Sequence, residues 1–558
     1  MKKILLGFFL CGFSFFLVAV VLSYLAFSAK TDIASPSALI ITIDGPLVEG
    51  DSDSLEALLA ESPPLSLHSV STAIREAAVD DRISGIILNI VDPQLGMAQI
   101  QEIEEAMSQF RMSEKWTIAF MESAGVQSRG DGAYALALCA QEIYLAPPGS
   151  LNIIGLRSQS PFFAGLFEKL SIKPFFDRRK EFKSGPDVFT REGYSPKHRE
   201  QLSDILSDLQ ITLEQHIAKR RNVNSETART WINEGPYSAT DAKAKGMVDQ
   251  VAYFDSVRDE LRKRIGRDNP TVSIHRYMQS LMPNLGQRTI ALITAAGTIH
   301  RGRSDADPLS SQSSIGSTTY TKAFRKARED KVSGVLFRID SGGGSYVASD
   351  LIRREVELTR KAGIPVVVSM GNVAASGGYF IAMDANHIVA QPSTITGSIG
   401  VYSGGFATRE FFKNYLGITF DSFNASPNAD IFETLDPPDK RRQALLKTTL
   451  DRIYKDFVGK MASARNKTFA QADKVAKGRI WSGKKAKEQG LIDELGGMNT
   501  ALDRLKILAK IAPEESILFQ SYPIPDTPWA IARKTLTSGS KISTALRNGI
   551  QNFLLTIE

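Results

Sequence analysis

The chain contains two copies of one pattern, and this duplication limits its architecture more than any other feature of the 558 residues. The matched segments are Ala73–Ile90 with Lys322–Ile339, Gly132–Gly155 with Gly377–Gly400, and Tyr237–Val251 with Trp481–Leu495. Matched positions lie near 245–250 residues apart throughout. A period this long indicates a duplicated domain, because solenoids repeat every roughly 20–50 residues.

Each copy alternates apolar strands with helical segments. The strand GIILNI (85–90) follows a helical segment in the first copy, and GVLFRI (334–339) takes the same place in the second. Strands that alternate with helices favour an α/β fold with largely parallel sheets. The predicted parts are a transmembrane anchor (1–30), a first repeat (38–265), a linker (266–288), a second repeat (289–512) and a C-terminal tail (513–558). The tail is interpreted as a surface helix, with contact to a membrane or a neighbouring subunit as the alternative.

Residues 1–30 predict a membrane anchor. No charged side chain occurs between Lys3 and Lys30. At about 1.5 Å per residue, a helix of that length crosses a hydrocarbon core of about 30 Å. Lys2 and Lys3 should stay on the cytoplasmic side, which puts the rest of the chain outside the cytoplasm. Cleaved signals have shorter apolar regions of roughly 7–15 residues, so an uncleaved single-pass anchor is expected, with cleavage after AFSA as the alternative.

Composition excludes several classes of protein. With 43% hydrophobic and 23% charged residues, the chain is typical of a globular protein. The net charge of +6 is not gathered in a long basic run, so nucleic acid is not an expected partner. Cys11 and Cys139 are the two cysteines, and Cys11 belongs to the predicted anchor. Neither a structural disulfide nor a cysteine zinc site is therefore expected, and Cys139 is interpreted as a buried packing residue.

Two loops of the second copy have the composition of a hydrolase site. RIDSGGGSYVAS places Gly342, Gly343 and Gly344 directly after an apolar strand, where glycines permit a sharp turn with unobstructed N–H groups. AASGGY places Ser376 between a strand and a helix, followed by Gly377. An N–H of the first loop together with that of Gly377 would form an oxyanion hole beside Ser376. Two tight turns without catalytic function would leave the same pattern.

Neighbouring histidines do not supply an evident base for Ser376. His387 is the nearest, along a helix from Ser376, and is interpreted as a partly exposed polar residue. The first copy has Asp131 at the position of Ser376, so it lacks the nucleophile. It carries Lys183 in FFDRRKEFKSGPDVFT, whose counterpart FDSFNASPNADIFET has no lysine. Because each copy keeps what the other lacks, we expect one composite site with Ser376 from one repeat and Lys183 from the other.

A lysine can act as this base only if its charged form is disfavoured. A lysine in water has a pKa of about 10.4 and is protonated at neutral pH. Burial is expected to lower the pKa of Lys183, helped by Arg178, Arg179 and Lys180 if these cations lie close.

The motifs resemble those of a known family. DSGGGSYVAS, SMGNVAASGGYFIA, TGSIGV and EFKSGPDVF, together with the duplication, are similar to bacterial signal peptide peptidases of the long, duplicated protease IV type. These are serine peptidases of the Clp-protease/crotonase-like superfamily, and the resemblance covers nearly the whole chain after the anchor. It implies two tandem domains of that fold, Ser376 as nucleophile, Lys183 as general base and Ser398 of TGSIG as the residue that orients the lysine. Gly342 departs from the family pattern, which usually has proline there.

The resemblance also implies a function. It predicts hydrolysis of remnant signal peptides at the outer face of the bacterial cytoplasmic membrane, with Gly377 and Gly343 as oxyanion donors. No metal or organic cofactor is implied, and a homo-oligomer, expected to be a tetramer, is the predicted assembly. Two alternatives are an acyl-CoA enzyme of the crotonase type, against which Ser376 and Lys183 argue, and a non-catalytic membrane scaffold.

Overall fold

The computed structural model describes residues 33–50, 65–268, 270–281, 288–304, 314–512 and 515–523. The predicted anchor (1–30) and most of the predicted tail lie outside these residues. Among the helices of the described ranges, none is both long and apolar enough to span a membrane.

The first repeat is built on a parallel sheet. Its strands are β1 (Ser37–Gly45), β2 (Ile83–Pro93), β3 (Trp116–Met121), β4 (Glu142–Leu145), β8 (Gln250–Val251) and β9 (Thr271–Ser273). They follow the order β8-β4-β3-β2-β1-β9. A short antiparallel pair, β5 (Ser150–Leu151) with β7 (Tyr237–Ser238), accompanies the sheet.

The second repeat is built in the same way. Its strands are β10 (Arg288–His300), β11 (Ser314–Gly316), β12 (Gly334–Gly344), β13 (Val366–Ala375), β14 (His387–Ala390), β15 (Ile395–Gly397), β17 (Ile480–Ser482), β18 (Glu494–Leu495) and β19 (Ile517–Tyr522). The path β18-β14-β13-β12-β10-β19 matches the first sheet strand for strand, and β15 pairs antiparallel with β17 as β5 does with β7. The prediction of two tandem α/β repeats is therefore confirmed.

Helices cover both sheets. In the first repeat they are α1 (Leu67–Val79), α2 (Met97–Arg111), α3 (Asp131–Ala137), α4 (Ala164–Lys169), α5 (Asp187–Thr190), α6 (Pro196–Arg221), α7 (Ser225–Glu234), α8 (Ala239–Ala244), α9 (Phe254–Ile265) and α10 (Ile274–Ser280). In the second they are α11 (Ser317–Glu329), α12 (Tyr346–Lys361), α13 (Gly377–Ala382), α14 (Arg409–Leu416), α15 (Lys440–Ala464), α16 (Phe469–Val475), α17 (Gly483–Glu488) and α18 (Met498–Leu508).

Capping residues determine where the long helix α6 begins and ends. The Ser195 side chain accepts the His198 N–H at the start, and Pro196 occupies the first helical position, where its missing N–H costs nothing. At the other end Asn222 adopts φ 54°, a left-handed conformation that asparagine tolerates and that terminates the helix.

Continuous apolar strands are buried on both faces. Along β2, Ile86 and Leu88 join the core cluster that includes Ile74 of α1, whereas Ile87 packs on the opposite face with Leu261 of α9. Parallel strands sandwiched between helices show this double burial, which explains why the strand sequences do not alternate with polar residues.

The first repeat continues past Ile265, where the sequence predicts a linker. β9 pairs in parallel with β1, and α10 places Tyr277 in the core of the first repeat. β19 takes the equivalent place in the second repeat and lies within the predicted tail. A three-residue strand is too short to leave a period-two pattern, so composition alone ends the repeat too early.

A two-stranded ribbon joins the repeats. β6 (Lys173–Arg179) of the first repeat pairs antiparallel with β16 (Val401–Ala407) of the second, and Arg179 faces Val401 in the register. Because β6 ends only a few residues before Lys183, this ribbon delivers that lysine to the second repeat.

A buried charge cluster forms a second junction. Arg338 of β12 is 1% exposed and pairs with Glu49 at 2.7 Å and Glu102 at 2.8 Å. Both carboxylates belong to the first repeat. Such a pairing holds the repeats in one orientation, since each partner would be left buried and unpaired without the other.

Candidate active site

Ser376 lies where a strand turns directly into a helix. β13 ends at Ala375 and α13 begins at Gly377, so Ser376 is the single residue between them. Its backbone adopts φ 54° and ψ −116°, a conformation that residues with a Cβ rarely occupy and that is often found at functional sites. Gly378 permits the close packing of this turn, because a Cβ there would lie 2.3 Å from the Ser341 carbonyl oxygen.

Lys183 reaches Ser376 from the other repeat. Its Nζ lies 2.9 Å from Ser376 Oγ, 2.8 Å from the Ser398 carbonyl oxygen and 3.0 Å from Ser398 Oγ. These three partners suit a neutral amine: its two N–H groups donate to the Ser398 oxygens, and its lone pair accepts the Ser376 O–H. The structure thus brings Lys183, Ser376 and Ser398 together within one chain.

Burial controls the protonation of Lys183. The residue is 6% exposed, and burial lowers its pKa to about 7. The flanking cations do not supply the lowering that the sequence suggested. Each has a carboxylate partner: Arg178 pairs with Asp187, Arg179 with Asp451 and Lys180 with Asp473. Desolvation is therefore the cause of the lowered pKa.

Two residues that the sequence analysis did not single out hold the lysine loop. Gln201 of α6 donates from Nε2 to the Phe182 carbonyl at 3.1 Å and to Ser184 Oγ at 2.5 Å. Gly478 packs on the lysine itself, since a Cβ there would lie 2.6 Å from Lys183 Cβ. Little in the sequence indicates that Gly478 matters. By the offset of the repeats, its equivalent in the first repeat is Glu234, so the duplication does not mark this position as a glycine.

The predicted oxyanion donors lie side by side. A Cβ on Gly343, whose φ is 106°, would come within 2.5 Å of the Gly377 nitrogen, so this approach requires glycine. The Gly377 N–H makes no backbone hydrogen bond to other described residues, whereas the Gly343 N–H donates to Ser341 Oγ at 3.2 Å. A Cβ at Gly342 would meet nothing within 4 Å, which fits a position where the family usually carries proline.

These groups open onto a cavity of about 1110 Å³. Its lining includes Lys183, Ser376 and Ser398, the backbone of both glycine loops and several apolar side chains, among them Phe380 and Phe457. Polar and apolar groups both line it, and concave sites where polar groups converge beside apolar side chains are typical of sites that bind ligands. The cavity leaves open space beside the Ser376 hydroxyl.

His387 is not part of this cavity. It begins strand β14 rather than lying on a helix, and its Nε2 lies 3.0 Å from Glu494 Oε2. His198 does line the cavity, a position that the sequence did not reveal. Its Nδ1 lies 3.6 Å from Asp187 Oδ2.

The equivalent turn of the first repeat is structural. Asp131 is buried, and its Oδ1 accepts the N–H groups of Ile154 and Gly155. The carboxylate ties α3 to the following segment, so the first repeat presents no nucleophile at this position.

Comparison with known proteins agrees with this architecture. The model of peptidase family S49 matches residues 111–267 and 359–512, one region in each repeat. The chain is 31% identical over 502 residues to "Serine protease SPPA, chloroplastic" of Arabidopsis thaliana, covering 88% of this chain and 72% of the relative. It is 34% identical over 474 residues to "Protease 4" of Salmonella typhi, covering 82% and 74%. It is 29% identical over 523 residues to "Protease 4" of Haemophilus influenzae, covering 89% and 83%.

The duplicated fold and these relatives define the protein as a serine-type peptidase. It belongs to peptidase family S49. The resemblance to the duplicated protease IV type, first indicated by its motifs, is confirmed.

Proposed function

We propose that the protein is a membrane-anchored endopeptidase that cleaves peptide bonds with a Ser376–Lys183 dyad. The contact of 2.9 Å between Ser376 Oγ and Lys183 Nζ carries this proposal. A lysine with a pKa of about 7 is partly uncharged at neutral pH and can accept the serine proton. Ser–Lys pairs are a known variant of the catalytic triad.

The reaction follows from the geometry. Ser376 Oγ attacks the peptide carbonyl while Lys183 Nζ takes its proton, and Ser398 holds the amine in place through its two oxygens. The N–H of Gly377 stabilises the oxyanion, and that of Gly343 joins it by leaving Ser341 Oγ. Lys183 then gives the proton to the leaving amine. Water, deprotonated by the same lysine, hydrolyses the acyl-enzyme and restores Ser376.

Remnant signal peptides are the proposed substrates, at the outer face of the bacterial cytoplasmic membrane. The resemblance to signal peptide peptidases supplies this class, and residues 1–30 have the length and apolar character of an anchor. The apolar side chains that line the cavity, such as Phe380 and Phe457, suit hydrophobic peptides.

A homo-oligomer, expected to be a tetramer, is the proposed assembly. In the first repeat, Glu102 of α2 contacts the second repeat by accepting the Met498 N–H at 3.2 Å. By the offset of the repeats, the equivalent residue of α12 is Leu351, which is 50% exposed. A second chain that offers its first repeat to this apolar surface would reproduce the contact made inside one chain.

The proposal is tested with the full chain in lipid vesicles. An apolar peptide with a signal-peptide sequence should be cut by the wild type and left intact by Ser376→Ala, as followed by mass spectrometry of the products. A polar peptide of equal length is the matched substrate and should be cut far more slowly. Equal cleavage of both peptides would remove the signal-peptide proposal, and an inert wild type would favour the scaffold.

A further inference from the structure

A second group of reactive side chains lies in the first repeat, outside the Ser376 cavity. Glu104 belongs to α2, Cys139 follows α3, and His216 belongs to α6. One ligand atom from each residue lies within 4.8 Å of the other two. Because the three residues come from separate elements, their meeting is a property of the tertiary fold.

The atoms that face one another lack ordinary partners. His216 Nε2 and Glu104 Oε2 are 4.0 Å apart, and both are buried without a hydrogen-bond partner in the described part of the chain. Cys139 is fully buried, and its Sγ contacts the Ala135 carbonyl oxygen at 3.6 Å. The Cys139 thiol does interact with the Glu104 carboxylate. Buried polar atoms are normally paired, so His216 Nε2, which has no hydrogen-bond partner among the described residues, indicates that a partner is missing from this group.

The second repeat shows what the fold itself requires at these positions. By the offsets that relate the repeats, Glu104, Cys139 and His216 correspond to Arg353, Asp384 and Lys460. The register of the last pair is fixed by the residues that end the two long helices, Asn222 after α6 and Asn466 after α15, which both have positive φ.

Those equivalent residues satisfy one another as ion pairs. Arg353 pairs with Asp384, and Asp350 pairs with Arg353 at 2.8 Å and with Lys460 at 2.9 Å. The fold is therefore stable without Glu, Cys or His at these places. At the same positions the first repeat has three side chains of the types that can ligate metals, and it has no such set of ion pairs.

The Glu104 carboxylate is oriented for a further partner. Arg111 donates to Glu104 Oε1 at 3.0 Å, which fixes the carboxylate and leaves Oε2 available.

Contrary to the expectation from the two cysteines of the sequence, we propose that Glu104 Oε2, Cys139 Sγ and His216 Nε2 bind a divalent transition-metal ion of the zinc type. Carboxylate oxygen, thiolate sulfur and imidazole nitrogen are the donors that zinc takes, at about 2.0–2.3 Å, with water at the fourth position. On binding, the Cys139 thiol releases its proton to solvent and its sulfur lone pair forms the bond to the metal. Affinity therefore rises with pH.

Nearby cations set the strength of this site. Arg111 pairs with Glu104, and Arg220 donates from Nε to the Leu138 carbonyl at 2.6 Å. Their charges offset those of the ligands and weaken binding relative to a site without them. The bound ion links α6 to α2, and we expect it to stabilise the first repeat without entering the Ser376 cavity.

Cobalt(II) is the probe that tests the site, because a thiolate bound to it gives a near-ultraviolet charge-transfer band. The full chain, stripped with a chelator, should bind one Co²⁺ with this band, and Zn²⁺ should displace it. Cys139→Ser should lose the band. Cys11→Ser is the matched control and should keep it, since these are the two cysteines of the chain.

Two further variants separate ligation from folding. His216→Gln and Glu104→Gln should weaken Co²⁺ binding at least about tenfold, because even loss of a residue that only orients a ligand costs about that much. The His300→Gln control should not weaken it. The thermal unfolding of each stripped variant shows whether it is folded. Zn²⁺ should raise the unfolding temperature of the wild type and of the two controls, and should raise that of the ligand variants less. Absence of the band in the wild type, or its survival in Cys139→Ser, would overturn the proposal.

Discussion

At the scale of single residues, the proposed mechanism makes the burial of Lys183 decide when Ser376 can be activated. Because only the neutral amine accepts a proton and the pKa is about 7, kcat/KM should rise with pH to a plateau with a midpoint near 7. Below the midpoint the rate should fall about tenfold per pH unit. Initial rates of peptide cleavage across the neutral range check this, with Lys183→Arg inactive throughout. A flat profile well below the midpoint would contradict it.

The same burial has a cost in stability. The folded pKa of Lys183 is below its unfolded value, so the unfolded chain binds more protons between about pH 7 and 10.4. Wild-type stability should therefore rise with pH over that window. Lys183→Met removes the buried titratable group and should be more stable than the wild type at pH 7 by a few kcal/mol. The reason is that each pKa unit by which folding lowers the lysine pKa costs on the order of 1.4 kcal/mol.

Urea unfolding of the wild type and Lys183→Met at several pH values measures this difference. The stability difference should shrink as the pH approaches 10, which would identify the titration of Lys183 as its cause. A constant difference across the range would mean that packing, and not protonation, separates the two proteins.

Sequence reasoning reached some site residues and missed others for a physical reason. Ser376 and Lys183 stand out because each repeat keeps one of them and lacks the other. Gln201 and Gly478 act through contacts with the backbone and side chain around Lys183, and such contacts depend on tertiary packing. No spacing in the sequence encodes them.

Among the structural elements, the loop before β17 fixes the position of the lysine. A Cβ on Gly478 would lie 2.5 Å from the backbone nitrogen of Lys183, and the φ of 77° at Gly478 already favours glycine. Gly478→Ala should therefore displace Lys183 and lower kcat at least about tenfold, because small displacements of catalytic groups are costly.

Gly246→Ala is the matched control for this change. Gly246 has φ 76°, so alanine there meets the same backbone strain, but a Cβ would have no atom within 4 Å. Both variants should lose the stability that the strain costs, and Gly478→Ala should lose more because of its clash with Lys183. Only Gly478→Ala should lose kcat. Equal kcat values would show that the clash does not reach the dyad.

Elements that recur in both repeats were predictable, and elements that pair between the repeats were not. The apolar runs of β2 and β12 and the helices beside them follow from periodicity and duplication. The ribbon of β6 and β16 could not be found this way. Each repeat contributes one of its two strands, so neither repeat contains the pair by itself. Pairing partners that far apart leave no local pattern.

For the whole molecule, the orientation of the two repeats is what assembles the site. Arg338→Met would leave Glu49 and Glu102 buried without their cation. Loss of one partner of a buried ion pair costs roughly 3–5 kcal/mol. We expect a loss of this size in urea unfolding, together with reduced peptidase activity, since Lys183 and Ser376 come from different repeats.

Arg504→Met provides the control, because its partner Glu494 lies in a half-exposed pair within one repeat and should contribute at most about 1 kcal/mol. Adding Glu49→Gln and Glu102→Gln to Arg338→Met should restore part of the lost stability by removing the buried charges. If Arg338→Met is as stable as Arg504→Met, the buried cluster does not hold the repeats together.

The composite Ser–Lys site is tested most directly by kcat/KM for one apolar peptide in the wild type, Ser376→Ala, Lys183→Met and Lys180→Met. The flanking Lys180 is the matched control, since its side chain is 41% exposed and pairs with Asp473 outside the dyad. With all four proteins folded by circular dichroism, the first two variants should each lose at least about a thousandfold, and Lys180→Met should stay within about twofold of the wild type. Retention of more than about a tenth of the activity in Lys183→Met would contradict a base supplied by the other repeat.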